Sequence, residues 1–262
     1  MVSSLSLALS PEAGKMVSSE IPRELKDVGI FEKLGSTLDP DLKFQNELGE
    51  TVTLGSFYDG THPVVISPVY FACPGLCNFH LNGVIDSLKT IDWSAGNQFQ
   101  YLAISFDSRE NSELALRKKT AYMKSYDRPG SEKGWHFLTA DAETIKKLTD
   151  QVGFKFKWNE ETKEWAHASA AIVTTPQRKI SRYLMGIMME GKTFKMALNE
   201  AADGHIGTLV DRMIWYCFHY DPHQSKYTLY AANLMKVGAG IVVLMLGALL
   251  IPVWVRSRRE QT

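Results

Sequence analysis

The chain has 262 residues, enough for one well-packed domain with appendages, and its 45% hydrophobic and 11% aromatic content excludes a disordered polypeptide. Its 29 Lys and Arg balance 29 Asp and Glu, which argues against a nucleic-acid binder, because phosphate recognition needs a basic face. Three cysteines, Cys73, Cys77 and Cys217, are too few for a disulfide scaffold, so the fold must rest on its hydrophobic core.

Residues 1–39 carry scattered charges and little periodicity and read as a leader or linker, with a short helix expected near Ile30. The start, MVSSLSLALSPEAGK, lacks the basic and long apolar stretches of a secretory signal. Strand-like residues on either side of Leu48-Gly49 predict a hairpin over Phe44–Leu54, and Asp59-Gly60 predicts a turn. Val64-Val65-Ile66 opens a buried strand running to about Phe71. After Cys73-Pro74-Gly75-Leu76-Cys77 comes a helical stretch whose expected stripe is Leu76, Phe79, Val84 and Leu88, with Pro74 suited to the first helical position.

Gln98–Phe106 reads as a second buried strand, and Asn111 or Ser112 as the cap of a helix through Tyr126. Trp135–Thr139 is a short extended run, and Asp141 caps a helix through Val152. Ala168–Thr174 and Ile180–Leu184 predict a strand pair turning at Pro176, and Phe194–Ala201 and Ile206–Phe218 predict helices. The alternation implies an α/β thioredoxin-like fold over 40–218, with a central mixed sheet flanked by helices. In such sheets chemistry gathers beyond the carboxyl ends of the strands, where the two cysteines fall.

Residues 219–236 read as a Tyr-rich linker, and Val237–Val255 as nineteen positions without a charge. At about 1.5 Å per residue they span roughly 28 Å, the thickness of a bilayer core. One C-terminal transmembrane helix in contact with membrane lipid is therefore expected. Arg256, Arg258 and Arg259 favour a cytoplasmic tail over 256–262, which leaves the domain outside. That topology needs a signal upstream of this start; without one the domain is cytosolic.

Two sulfurs one helical turn apart converge on one point. With Cys73 as the N-cap, the helix N-terminus lowers its thiol pKa. Three uses remain open: a soft metal site such as Cu(I) completed by an imidazole, a redox disulfide, or zinc with a fourth ligand still to be placed. Two unreactive core cysteines are the bland alternative.

VVISPVYFACPGLCNFHLNG resembles the Sco/SenC family, whose signature is a C-x-x-x-C pair after the first central strand. It is especially similar to a bacterial subgroup with CP-x-LCN followed by LNG and a C-terminal membrane helix. LAISFD, ending at Asp107, and His167 in WAHASAAIVTTPQRKISRYLMG extend the resemblance across roughly residues 40–200. It implies copper, as Cu(I) and Cu(II), held by Cys73, Cys77 and His167. It also implies assembly or reduction of the dinuclear copper site of cytochrome c oxidase, whose copper-site subunit is then the partner. The implied location is the inner membrane, single-pass, with the domain in the periplasm.

Asn78 stands where many family members have proline, which predicts a looser loop, and Ala166 replaces an aspartate that often precedes the histidine. Asp107 divides between a functional role and a strand-end cap. His80 is expected to face the sheet or solvent, and His136 to be structural. His62, His205, His219 and His223 fall in loops or the linker, and a weak second copper site around Cys217, His219 and His223 is conceivable. The rival function is a membrane-anchored thiol-disulfide oxidoreductase or thiol peroxidase using the redox pair Cys73 and Cys77. An inert structural subunit is the third class.

Overall fold

The computed structural model describes residues 28–73 and 75–207, the backbone of 218–221 and 226–229, and residue 239. The chain opens with β1 (Gly29–Ile30), β2 (Lys43–Gln45), β3 (Thr51–Thr53) and β4 (Val64–Val69). Helix α1 (Leu76–Lys89), strand β5 (Gln100–Ser105), helix α2 (Ser112–Tyr126) and strand β6 (Trp135–Leu138) follow. Next come α3 (Ala142–Gln151), β7 (Phe154–Asn159), β8 (Glu164–His167), β9 (Ala170–Thr174), β10 (Ile180–Met185) and α4 (Gly191–Ala202). A last pair, β11 (Phe218–Asp221) and β12 (Lys226–Leu229), lies where a linker is expected, and Phe218 is in strand rather than helix.

The central sheet has the order β10-β9-β4-β5-β6, with β4, β5 and β6 parallel and β9 antiparallel to both its neighbours. Every residue of β4 and β9 is buried, as expected of strands covered on both faces. Helix α2 packs on β6, α4 on β9 and β10, and α1 touches both α2 and α4. This is the mixed-sheet, thioredoxin-like α/β architecture that the element order implies.

One residue shapes the opening of the site. Pro68 has no N–H to give, and β4 pairs with β9 only at Val64, Val65 and Ile66, while its pairing with β5 continues to Val69. The sheet therefore splits on the β9 side just before the cysteine turn.

A second sheet, β1-β7-β8, does not appear in the expected elements. Its strand β1 stands where a short helix near Ile30 is expected, because Gly29 and Ile30 pair with Lys155 and Phe154. The chain before residue 40 is tied into the domain as well: Leu38 is buried, and its N–H donates to the Arg178 carbonyl. Gly153 is required beside β1, since a Cβ there would lie 1.9 Å from the Phe31 carbonyl oxygen.

Helix α1 buries Cys77, His80, Leu81, Val84, Ile85 and Leu88. Leu76 and Phe79, expected in the stripe, are exposed instead, because the helix starts at Leu76 with Gly75 as its N-cap. Pro74 and the segments 1–27, 208–217, 222–225, 230–238 and 240–262 lie outside the described residues, and with them Cys217, His223 and all but one residue of the expected membrane span. Among the described residues no helix is long and apolar enough to cross a membrane.

Candidate metal and redox centre

Two arms build the site. The first is the turn between β4 and α1. Cys73 precedes the helix rather than capping it, yet its Sγ accepts from the N–H groups of Gly75 and Cys77, each at 3.4 Å. The sulfur thus does a cap's work from outside the first turn. Cys77 sits in that turn, and its Sγ accepts from the Tyr70 N–H at 3.3 Å.

The second arm is the β7–β8 hairpin, which ends at His167. Its strands read Phe154, Phe156 and Trp158 alternating with polar residues, then Trp165 and His167. Asn159 makes the tip, its side chain accepting from the Glu161 and Thr162 N–H groups. Phe106, on the carboxyl end of β5, packs its ring against Phe154, Phe156, Trp165 and His167 at centroid distances of 5.2, 4.7, 6.3 and 5.1 Å. Tyr70 meets the imidazole edge-on at 5.7 Å.

His167 Nδ1 lies 2.7 Å from the Ala168 carbonyl oxygen, which can only accept, so this nitrogen carries the proton. Nε2 then presents its lone pair to Cys77 Sγ at 3.4 Å. The three residues offer two sulfurs and one nitrogen within 4.8 Å of one another. Three donors in a plane, each about 2.3 Å from one ion, are about 4 Å apart, so a small contraction closes the set on a single ion. A soft ion suits this S₂N donor set. Among the described residues the cluster stops at three, one short of a closed zinc site.

The pair is electrostatically asymmetric. The hydrogen bond from the Cys77 thiol, aided by the Cys77 and Gly75 N–H groups and the Tyr70 hydroxyl, outweighs burial and holds Cys73 down to about 4. Cys77 is pushed far above the usual thiol range by its bond to the Cys73 thiolate and by burial. Cys73 is therefore the thiolate, and the single Cys77 proton has two acceptors in reach, Cys73 Sγ and His167 Nε2.

Asp107 has a structural use beyond capping a strand. Burial opposes its ionisation, but bonds from Arg109 and Trp165 hold its carboxyl below the usual range. Trp165 Nε1 donates to it at 2.9 Å, and the Arg109 guanidinium stacks 4.5 Å from the Trp158 ring and 5.5 Å from that of Trp165. Asp107, two residues past the end of β5, thus anchors the hairpin at Trp165, two residues before His167.

Asn78 tightens the turn instead of loosening it. Its Nδ2 donates to the Cys73 carbonyl at 2.8 Å, while Oδ1 accepts from Lys118 Nζ and the Tyr122 hydroxyl, each at 3.0 Å. Glu110, which no motif singles out, accepts from the Phe71 and Ala72 N–H groups at 2.7 and 2.6 Å.

Among the described residues no other histidine joins the ligand set. His80 faces the sheet, with Nε2 on Ser67 Oγ and Nδ1 on the Gly186 carbonyl, each at 3.0 Å. Burial lowers its pKa to about 4, so it is neutral. His136 bonds Gln100 on the neighbouring strand, and His62 pairs with Asp59. A cavity of about 970 Å³ between α1 and residues 187–195 contains none of the three candidate ligands.

No family model matches the sequence, and no curated protein matches it either. Solved structures do. A protein of Aquifex aeolicus VF5 superposes with a TM-score of 0.57 at 23% identity, covering 66% of this chain and 96% of that one. BsSco, a member of the Sco family of cytochrome c oxidase assembly proteins, gives 0.51 at 18% identity over 66% and 98%. Arabidopsis thaliana ScoI, solved with copper bound, gives 0.50 at 15% identity over 66% and 100%. These likenesses establish the shared fold.

Proposed function

We propose that the chain is a membrane-anchored copper metallochaperone of the Sco/SenC type that carries copper on Cys73, Cys77 and His167. The observation that carries this reading is the convergence of two sulfurs and one imidazole nitrogen within 4.8 Å. The C-x-x-x-C motif supports it, as does the fold held in common with BsSco and with copper-bound Arabidopsis ScoI.

In this reading copper is cargo. The Cys73 thiolate is ready to accept it, and the metal displaces the Cys77 proton as the second thiolate forms. His167 approaches through Nε2 because the Ala168 carbonyl holds the proton on Nδ1, an arrangement that fixes a ligating imidazole in one orientation. Tyr70, Phe106 and Phe154 pack around the imidazole and hold its ring in place. The acceptor is the dinuclear copper site of cytochrome c oxidase, to which the domain delivers copper or reducing equivalents from the periplasmic face of the inner membrane. Residues 237–255 hold it there, with 256–262 in the cytoplasm. A cytosol-dependent reporter fused after Thr262 should be active, and activity of that reporter near Ser10 instead would remove this setting.

The runner-up is a thiol-disulfide oxidoreductase or thiol peroxidase, favoured by the depressed pKa of Cys73. His167→Ala separates the two. It should weaken Cu(II) binding by about 100-fold or more while sparing part of the Cu(I) affinity, because Cu(II) favours nitrogen and Cu(I) tolerates two sulfurs. The dithiol should still cycle. Copper titrations that leave both affinities unchanged would hand the site to the oxidoreductase.

A further inference from the structure

We propose that Glu110 and Asn78 are positioning residues for Cys73: they clamp residues 71–73 from two sides and so set how readily the cysteine pair oxidises. The turn lies between the end of β4 and the start of α1, where neither sheet nor helix supplies regular backbone partners. Its two consecutive N–H groups, on Phe71 and Ala72, both go to one carboxylate, Glu110 Oε2 at 2.7 Å and Oε1 at 2.6 Å. Such charge-assisted, two-pronged bonds are strong and geometrically selective. The carboxylate is itself held to the end of β5 by Ser105 Oγ at 2.6 Å.

From the other side Asn78 takes the Cys73 carbonyl at 2.8 Å and is tied to α2 by Lys118 and Tyr122. The turn is thereby fixed to both β5 and α2. With the backbone so fixed, Cys73 Sγ rests on the Gly75 and Cys77 N–H groups. Those donors stabilise a thiolate and lose most of that attraction once the sulfur is neutral in a disulfide. Anything that keeps the sulfur seated favours the reduced pair and raises its reduction potential. The copper consequence rests on the proposed metal reading; the redox consequence stands without it.

The experiment equilibrates the full-length chain, in detergent and carrying Cys217→Ser, with glutathione redox buffers and then titrates it with Cu(I). Wild type is compared with Glu110→Gln, whose amide turns a donor towards one of the two N–H groups, and with Asn78→Ala. Each variant should shift the dithiol–disulfide equilibrium about tenfold towards the disulfide, a fall of about 30 mV, and lose about tenfold in Cu(I) affinity. If Glu110→Gln does not fold, Asn78→Ala decides. Equilibria within twofold of wild type would overturn the clamp even if melting temperatures fall, since a merely supporting role changes stability alone. A shifted potential in a protein that binds no copper would keep the clamp and reject the metallochaperone; normal copper binding with unshifted potentials would do the reverse.

Discussion

The cysteine turn and the β7–β8 hairpin bring ligands to one point by opposite means. Cys73 and Cys77 meet because they are four residues apart at a strand-to-helix junction, where chain geometry leaves little choice. His167 arrives from 90 residues beyond Cys77, on a strand of a separate sheet. It is held by ring packing on Phe106 and by the Asp107–Trp165 bond. One arm is local and backbone-determined, the other long-range and determined by side-chain packing. Hence damage to the first should act on the sulfurs directly, and damage at several residues far from the metal should act on the second.

The largest effect should come from the local arm. Cys73→Ser or Cys77→Ser should abolish tight copper binding and the Cu(II) thiolate absorption, because a hydroxyl lacks the softness of the thiolate. Cys217→Ser should leave both nearly unchanged, and equal loss there would move the ligand assignment.

Next in size is Phe106→Ala, which empties the contact under the hairpin. A fully buried Phe costs about 3–5 kcal/mol on truncation, read as a lower midpoint in denaturant. Cu(II) affinity should fall more than the dithiol potential moves, and the reverse order would contradict the division between the arms.

Asp107→Asn should be milder, weakening Cu(II) binding about tenfold through the hairpin, in the lower part of the range for partners of ligands. Trp165→Phe keeps the ring and removes the Nε1–H donor, so it should reproduce the loss. If Asp107→Asn weakens binding and Trp165→Phe does not, Asp107 acts by some route other than the tryptophan.

The last effect concerns pH. Because the folded pKa of Cys73 lies near 4, below that of an unfolded thiol, its thiolate stabilises the fold fully above the unfolded thiol pKa. That stability falls away progressively as the pH drops from there towards about 4. Alkylation of Cys73 should accordingly persist to about pH 5, while Cys77 stays unreactive at neutral pH. Matching pH profiles for the two thiols would remove the asymmetry.

Much of this was legible in the residues. Strands β4 and β5, the Asn111 and Asp141 caps and the Leu48-Gly49 hairpin follow from short-range pattern and turn chemistry. The β7–β8 hairpin escaped notice although Phe154, Phe156 and Trp158 alternate with polar residues, a period of two that marks a half-buried strand. Its intervening lysines and acidic tip leave it no continuous apolar run. The helix start was misplaced by the proline, since a residue suited to the first turn does not say where the backbone begins to hydrogen-bond.

By itself the sequence determined the Cys73–Cys77 pairing, since four-residue spacing beside a helix start brings two side chains together in almost any fold. It also determined the central sheet, because long buried runs of β-branched residues have few other solutions. Only the tertiary structure decided which nitrogen of His167 faces the sulfurs, that Asp107 reaches it through Trp165, and that Asn78 and Glu110 clamp the turn. Those contacts join residues from one to 90 positions apart, and most span separate elements. Hydrogen-bond geometry of that kind is fixed by how packed elements meet, which no local pattern encodes.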